Sequence, residues 1–260
     1  MKYCGLCRTN QADKTNSHIF PRFLCQSLLD NGTFNRAITI IEDSEKPVYD
    51  QDSPKEDYIL CSQCESLLDR KYENYFASDV LKRLDNRKEY FNVQVKDFHY
   101  RVYYRIDYIL FKKFVYSLVL RAHISELPLF KDFSIPNVFY KEIKRSLLED
   151  TYFIDYPLYI FTCRKNEHLT GNQILAEHIV NHIYNLHANE FLFIFDFDDS
   201  VNFLKLFIDS KNYQNTSIRI CDLDYRSWRR WLDETYNIMN KKKVRNQVKA
   251  LISALIKYKN

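Results

Sequence analysis

Cys4-Gly5-Leu6-Cys7, Ser17-His18-Ile19-Phe20-Pro21 and Cys61-Ser62-Gln63-Cys64 are the three stretches, in this order, that carry the most specific chemistry in the 260-residue chain. A C-x2-C turn delivers two thiolate sulfurs from one tight knuckle, and two knuckles complete the four-sulfur tetrahedron that Zn²⁺ prefers. Cys4, Cys7, Cys61 and Cys64 are therefore read as ligands of a structural zinc ion. Fifty-three residues separate Cys7 from Cys61. That exceeds the reach of a simple zinc ribbon, so a functional loop is expected between the knuckles, and His18 sits in it.

Seven cysteines in a chain with no secretory signature suit metal ligation better than a disulfide framework. Cys25, Cys163 and Cys221 lack paired spacing and are expected to be plain buried thiols. The chain opens on Met1-Lys2-Tyr3-Cys4, without the basic start, apolar run and small-residue cleavage site of an exported precursor. The most apolar stretch, Tyr108 to Leu120, is broken by Lys112 and Lys113 and is shorter than the roughly 20 residues that span a bilayer. A soluble cytoplasmic protein is expected, with no membrane partner. Hydrophobic residues at 46% and charged residues at 28% mark the composition as globular. With glycine only at Gly5, Gly32 and Gly171, neither a Walker phosphate loop nor a dinucleotide fingerprint can be built. No G-x-S-x-G elbow is present.

Between His18 and the second knuckle the sequence predicts a turn at Asn31-Gly32, a strand over Ala37 to Ile41 and a polar loop from Asp50 to Asp57. A helix follows from about Cys64, where Leu68, Tyr72, Tyr75 and Phe76 recur at helical spacing. A domain boundary is placed near residue 90, giving a finger over 1–90 and a body over 91–260. In the body, Arg101 to His123 is too densely apolar for a surface helix and reads as a central one, with Lys112 and Lys113 snorkelling at its edge. A helix is expected over Asn137 to Asp150, and strands over Tyr156 to Cys163, Phe191 to Phe197 and Ser217 to Leu223. Gln173 to His187 fits helix and strand equally, and on a helix His178 and His182 would share one face. Two closing helices are expected around Ser227 to Met239 and Lys241 to Tyr258. The fold class is thus α+β, with a finger followed by a mainly helical body containing a small sheet.

Charge is uneven along the chain. Residues 226–260 hold ten Lys or Arg against two acidic residues, a local +8 within a net charge of +4. Lys241, Lys242, Lys243, Arg245 and Lys249 are candidates for contact with a phosphate backbone, although a Lys-rich face also serves solubility alone. Glu65, Asp69 and Glu73 fall at i, i+4 and i+8 of the helix that opens at the second knuckle. Such an acidic stripe can hold a divalent cation, or it can be a solvated face paired with Arg70 and Lys71.

Cys4, Cys7, His18, Ile19, Pro21, Cys61 and Cys64 together resemble the HNH endonuclease superfamily, of the type braced by two zinc knuckles. In that family a C-x2-C pair precedes a D-H-I-x-P or E-H-I-x-P signature on the first strand, and a second C-x2-C opens the helix. The resemblance covers residues 1–76, and the body beyond Tyr104 resembles bacterial HNH-like proteins. It implies a treble-clef or ββα-metal finger with structural Zn²⁺ on the four cysteines. It further implies His18 as the general base that activates water against a phosphodiester of DNA, less readily RNA, and a catalytic Mg²⁺ or Mn²⁺ on Glu65 with Asp69 or Glu73. A role in bacterial phage defence or restriction, beside a partner protein such as an ATPase, is a further implication. The chain departs from the family at Ser17, where Asp, Glu or His is a metal ligand, at Glu65, where a His often stands, and near Glu56 and Asp57, where an Asn is expected. These departures leave an alternative of another class: a catalytically inactive zinc-finger module that binds nucleic acid or a partner protein.

Overall fold

The computed structural model describes residues 2–29, 37–39, 48–50, 52–84, 86–95, 98–162, 173–180, 182–198 and 216–223. The Asn31-Gly32 turn, the two closing helices and Lys241, Lys242, Lys243, Arg245 and Lys249 lie outside the described residues.

The N-terminal part is built on short pieces. Strand β1 (Ser17–His18) is followed by helix α1 (Arg22–Leu29), then by a small antiparallel pair of β2 (Ala37–Thr39) and β3 (Val48–Asp50). Strand β4 (Lys55–Glu56) returns antiparallel to β1, with Ser17 opposite Glu56 and His18 opposite Lys55. Helix α2 (Ser62–Leu68) starts at the second knuckle. It widens into π-helical turns at Asp69–Glu73 and Phe76–Leu81 and ends as α3 (Lys82–Leu84). The buried residues of this run, Leu68, Tyr72, Phe76, Val80 and Leu84, recur at every fourth position. An α-helix drifts by about 40° per four residues, so the stripe would wind off the core within two turns. The wider turns remove that drift and keep one face inward along the whole run.

Strands β5 (Tyr90–Val95) and β6 (Phe98–Tyr104) form a hairpin, and helix α4 (Tyr108–Ile124) follows. The single helix expected over 101–123 is thus a strand to Tyr104, a left-handed residue at Arg105 (φ 58°) and a helix capped by Asp107, whose side chain accepts from the Leu110 amide at 3.0 Å. Helix α5 (Asn137–Leu148) packs on α4, and β7 (Leu158–Thr162) enters the sheet. The ambiguous stretch forms strands β8 (Gln173–Val180) and β9 (Ile183–Asn189), so His178 lies on a strand and His182 in the following turn rather than on one helix face. Strands β10 (Phe191–Asp196) and β11 (Ser217–Asp222) complete a seven-stranded sheet in the order β5-β6-β11-β7-β10-β9-β8. The pairings are antiparallel except β11 on β7. The sheet is therefore not the small one expected. Its strands hold more of the described body than the helices do, so the body is not mainly helical.

Helix α4 is the centre of the molecule, with 13 of its 17 residues buried. One side meets the finger helix, where Phe114 stacks on Phe76 with ring centroids 4.1 Å apart. The other meets β10 through Phe111 on Phe193 and Tyr116 on Phe195. Lys112 does not snorkel. It is fully buried and donates to Asp155 (2.6 Å), to the Tyr108 hydroxyl (3.0 Å) and to the Tyr156 carbonyl, while Lys113 donates to the Glu149 carbonyl (3.0 Å). The chain passes from helix to sheet near residue 90, and one hydrophobic core runs through both parts, from Cys4 to Ile220.

Phe76 touches rings of α1, α4 and β10, namely Phe23, Phe111, Phe114 and Phe191. Phe76→Ala is expected to cost about 3–5 kcal/mol, the range for truncating a buried aromatic. Urea unfolding monitored by far-UV and near-UV circular dichroism checks it, and the two signals should stay coincident because the finger and the sheet share this ring.

Candidate zinc centre and histidine site

The first knuckle closes through Cys4 N–H to the Asn10 carbonyl (2.9 Å) and Arg8 N–H to the Cys4 carbonyl (3.0 Å), with Arg8 itself left-handed at φ 61°. The second is a helix cap: Cys61 is extended, and its Sγ accepts from the Cys64 amide at 3.5 Å while its carbonyl takes the Glu65 amide at 2.9 Å. The Gly5 amide donates to the Ile59 carbonyl (2.9 Å), tying the knuckles together. A Cβ on Gly5 would lie 2.5 Å from Ile124 Cδ1 and 3.2 Å from the Ile59 carbonyl oxygen, so a larger residue would have to push the end of the Ile124 side chain aside for the first knuckle to sit this close to the end of α4.

These contacts bring the four sulfurs within 4.8 Å of one another, with Cys7 Sγ 3.9 Å from Cys61 Sγ. A tetrahedron with Zn–S bonds of about 2.3 Å has sulfur–sulfur edges of about 3.8 Å, so the cluster can hold a metal ion such as zinc. The electrostatics point the same way. A hydrogen bond from the Cys64 thiol holds Cys4 down to about 4 against the desolvation of its burial, and the same contact with Cys4 pushes Cys64 up. Four sulfurs this close cannot all be thiolates unless a cation stands among them. Asn10 donates from its backbone to Cys7 Sγ (3.5 Å) and from its amide to Cys61 Sγ (3.7 Å), as outer partners of a thiolate cluster do. Cys25 and Cys221 are buried and unreactive, each pushed up to about 12 chiefly by desolvation, as their isolated spacing predicts. Cys163 lies outside the described residues.

Strand β1 separates its two residues by face, as a strand must. Ser17 is fully buried and donates from Oγ to Glu65 Oε2 at 2.7 Å. His18 is half-buried on the other side, its Nδ1 2.6 Å from the Oγ of Ser53, and the Ile19 amide closes the strand on the Pro54 carbonyl at 2.8 Å. Lys55, the cross-strand partner of His18, has its ammonium 3.3 Å from Asp52 Oδ2, and the Ser53 amide donates to Asp52 Oδ1 at 2.9 Å. Asp52 is held below the usual carboxylate range: desolvation opposes the shift, and the Ser53 amide, Lys55 and His18 overcome it. Glu56 and Asp57, near the position where an Asn is expected, fasten the backbone. Glu56 Oε2 accepts from Ser125 Oγ (2.7 Å) and the Glu126 amide (2.9 Å), and Asp57 Oδ1 accepts from the Asn16 amide (2.7 Å).

The acidic stripe is divided. Asp69 is exposed, whereas Glu65 and Glu73 both reach Arg121 of α4, at 3.5 Å and 2.5 Å. Arg121 is 1% exposed, and its Nε has no hydrogen-bond partner among the described residues. Two of the three candidate ligands for Mg²⁺ or Mn²⁺ are thus neutralised by an internal guanidinium. The donor set as arranged does not fit a bound divalent cation. Sequence reasoning missed Arg121, Lys55, Asp52 and Ser53. Arg121 lies in a segment read as a central helix for its apolar residues, and the other three lie in a polar loop with no motif of their own.

Compared with protein-family models, with curated proteins and with solved structures, the chain matches none. No helix among the described residues is long and apolar enough to cross a membrane.

Two outcomes are expected. The purified chain should carry one zinc per molecule by elemental analysis. Cys61→Ser should lose it and lower the melting temperature by about 10 °C or more, since metal binding in such sites supplies several kcal/mol of folding free energy, each worth about 2–4 °C in a domain of this size. Arg121→Met should cost about 3–5 kcal/mol by leaving Glu65 and Glu73 partly buried without a counter-charge. Adding Glu65→Gln and Glu73→Gln in the same chain should recover part of that loss, as read by urea denaturation.

Proposed function

We propose that the chain is an HNH-type endonuclease of the zinc-braced treble-clef class, hydrolysing phosphodiester bonds of DNA, less readily RNA, with His18 as the general base. The observation that carries the reading is the placement of His18. It lies on β1, which pairs antiparallel with β4, the strand that leads into helix α2, on a face left half-open, inside a loop closed by four sulfurs. With α1, β2 and β3 inserted between the two strands, this pair and helix correspond to the β-β-α element that the HNH resemblance implies. An imidazole held at Nδ1 can present Nε2 to a water molecule and take its proton as the water attacks phosphorus. Lys55 projects from the same face and supplies positive charge where the phosphorane gains negative charge. No step is assigned to Mg²⁺ or Mn²⁺, because Glu65 and Glu73 are paired with Arg121.

That pairing favours a second reading, a catalytically inactive zinc finger whose body binds nucleic acid or a partner protein. One experiment separates the two. Supercoiled plasmid and single-stranded DNA and RNA are incubated with the zinc-loaded chain and with His18→Ala, in EDTA-free buffer without added metal, with Mg²⁺ and with Mn²⁺. Under the nuclease reading the wild type cuts and His18→Ala loses at least about 100-fold in rate, the usual contribution of a positioned general base. Binding without cutting supports the second reading, and equal cutting by both removes His18 from the reaction and overturns the first.

A further inference from the structure

The polar group that faces His18 is not on the helix or at the expected Asn position but on the loop entering β4. Ser53 is 3% exposed, its Oγ lies 2.6 Å from His18 Nδ1, and its own amide is anchored on Asp52. Pro54 follows, fixing the approach of the loop, and its carbonyl binds the Ile19 amide next to the histidine. The serine is therefore held from both sides and cannot drift from the ring without breaking the β1–β4 pair.

A serine hydroxyl can either accept from Nδ1–H or donate to a bare Nδ1, and the two choices leave opposite tautomers at Nε2. Only one survives proton uptake. If Nδ1–H donates to Ser53 Oγ, the bond is kept when Nε2 takes a proton, because both ring nitrogens are then donors. If the hydroxyl donates instead, it must turn over during the reaction. Asp52 and Lys55 are linked to each other beside this contact, so the loop offers fixed dipoles that need not reorganise.

We propose that Ser53 is the positioning residue for His18: its Oγ accepts from Nδ1–H, locks the ring in one tautomer and leaves the Nε2 lone pair facing solvent as the proton acceptor. The assignment rests on the reading of His18 as a general base, but its physical content is tested without activity. The zinc-loaded full chain is labelled with ¹⁵N-histidine, and the His18 signals are identified by their loss in His18→Ala. At about pH 8.5, two units above the ordinary imidazole value of about 6.5, wild-type Nδ1 should show the shift of a protonated nitrogen and Nε2 that of a bare one. Ser53→Ala should give a mixture of tautomers, and Ser53→Thr, which keeps the hydroxyl, should restore the single form. Zinc content and circular dichroism confirm that each variant is folded. A wild-type ring protonated at Nε2, or a Ser53→Ala spectrum identical to wild type, overturns the proposal.

Where the plasmid is cut, kcat should fall about 10- to 100-fold in Ser53→Ala with KM unchanged and return in Ser53→Thr, by analogy with the loss of an outer hydrogen-bond partner from a metal-bound imidazole. If His18→Ala cuts as well as wild type, the nuclease reading fails. The tautomer result still decides whether Ser53 orients the ring.

Discussion

Everything at the N-terminal end depends on four sulfurs that the chain brings from two places 53 residues apart. Closing so long a loop has an entropic cost, and the small strands it contains, two or three residues each, could not offset it. A metal ion on Cys4, Cys7, Cys61 and Cys64 would do so by making every intervening contact local. The cluster is also built into the body. Gly5 abuts Ile124 at the end of α4, and its carbonyl accepts from the Tyr140 hydroxyl of α5. The finger is in that sense not a detachable module, since its knuckle is completed by surfaces that come more than a hundred residues later.

Helix α4 needs a different kind of constraint. A helix buried on nearly all sides has no polar face to tell its neighbours which way to turn, and apolar contacts are non-directional. Its cations supply the direction. Among the described residues, Lys112 is met by Asp155 and the Tyr156 carbonyl, Lys113 by the Glu149 carbonyl, and Arg121 by Glu65 and Glu73. Two adjacent buried charges at Lys112 and Lys113, and a third more than two turns further on at Arg121, restrict both the rotation and the height of the helix. Such pairs contribute little net stability after desolvation, so their role is better described as register than as strength.

The residues with strong local chemistry were legible. Two C-x2-C knuckles announced the sulfur cluster, Asn137 to Asp150 was a helix within two residues, and Phe191 to Phe197 and Ser217 to Leu223 were strands. The sheet as a whole was not, because β5 and β6 raised no expectation of strand and the β8–β9 stretch fits both periods; β9 does alternate, but it is buried on both faces, with Asn185 and His187 inside where a half-exposed strand would turn polar residues to solvent. Arg101 to His123 read as one helix since aromatic residues are dense on both sides of Arg105, and only a cap at Asp107 betrays the break. The acidic stripe misled for a tertiary reason. Spacing along one helix fixes a face but not the neighbour that meets it, and Arg121 arrives from a segment 48 residues beyond Glu73.

The same neighbour shapes the chemistry of the candidate site. Because Ser17 and His18 point to opposite faces of β1, the inward face carries Ser17, Glu65, Glu73 and Arg121, a closed set of hydrogen bonds and ion pairs. The outward face carries His18, Ser53, Asp52 and Lys55. In the HNH pattern a metal ligand directly precedes the general base, so that a cation and a base serve one phosphate. Here the inward position has a hydroxyl committed to a carboxylate that is itself committed to a guanidinium. Positive charge is present on both faces, but only that of Lys55 is near solvent and beside the imidazole. A phosphodiester approaching His18 would therefore meet the Lys55–Asp52 pair of the loop that enters β4 rather than the acidic helix, and among the described residues Lys55 is the cation placed on the histidine's face.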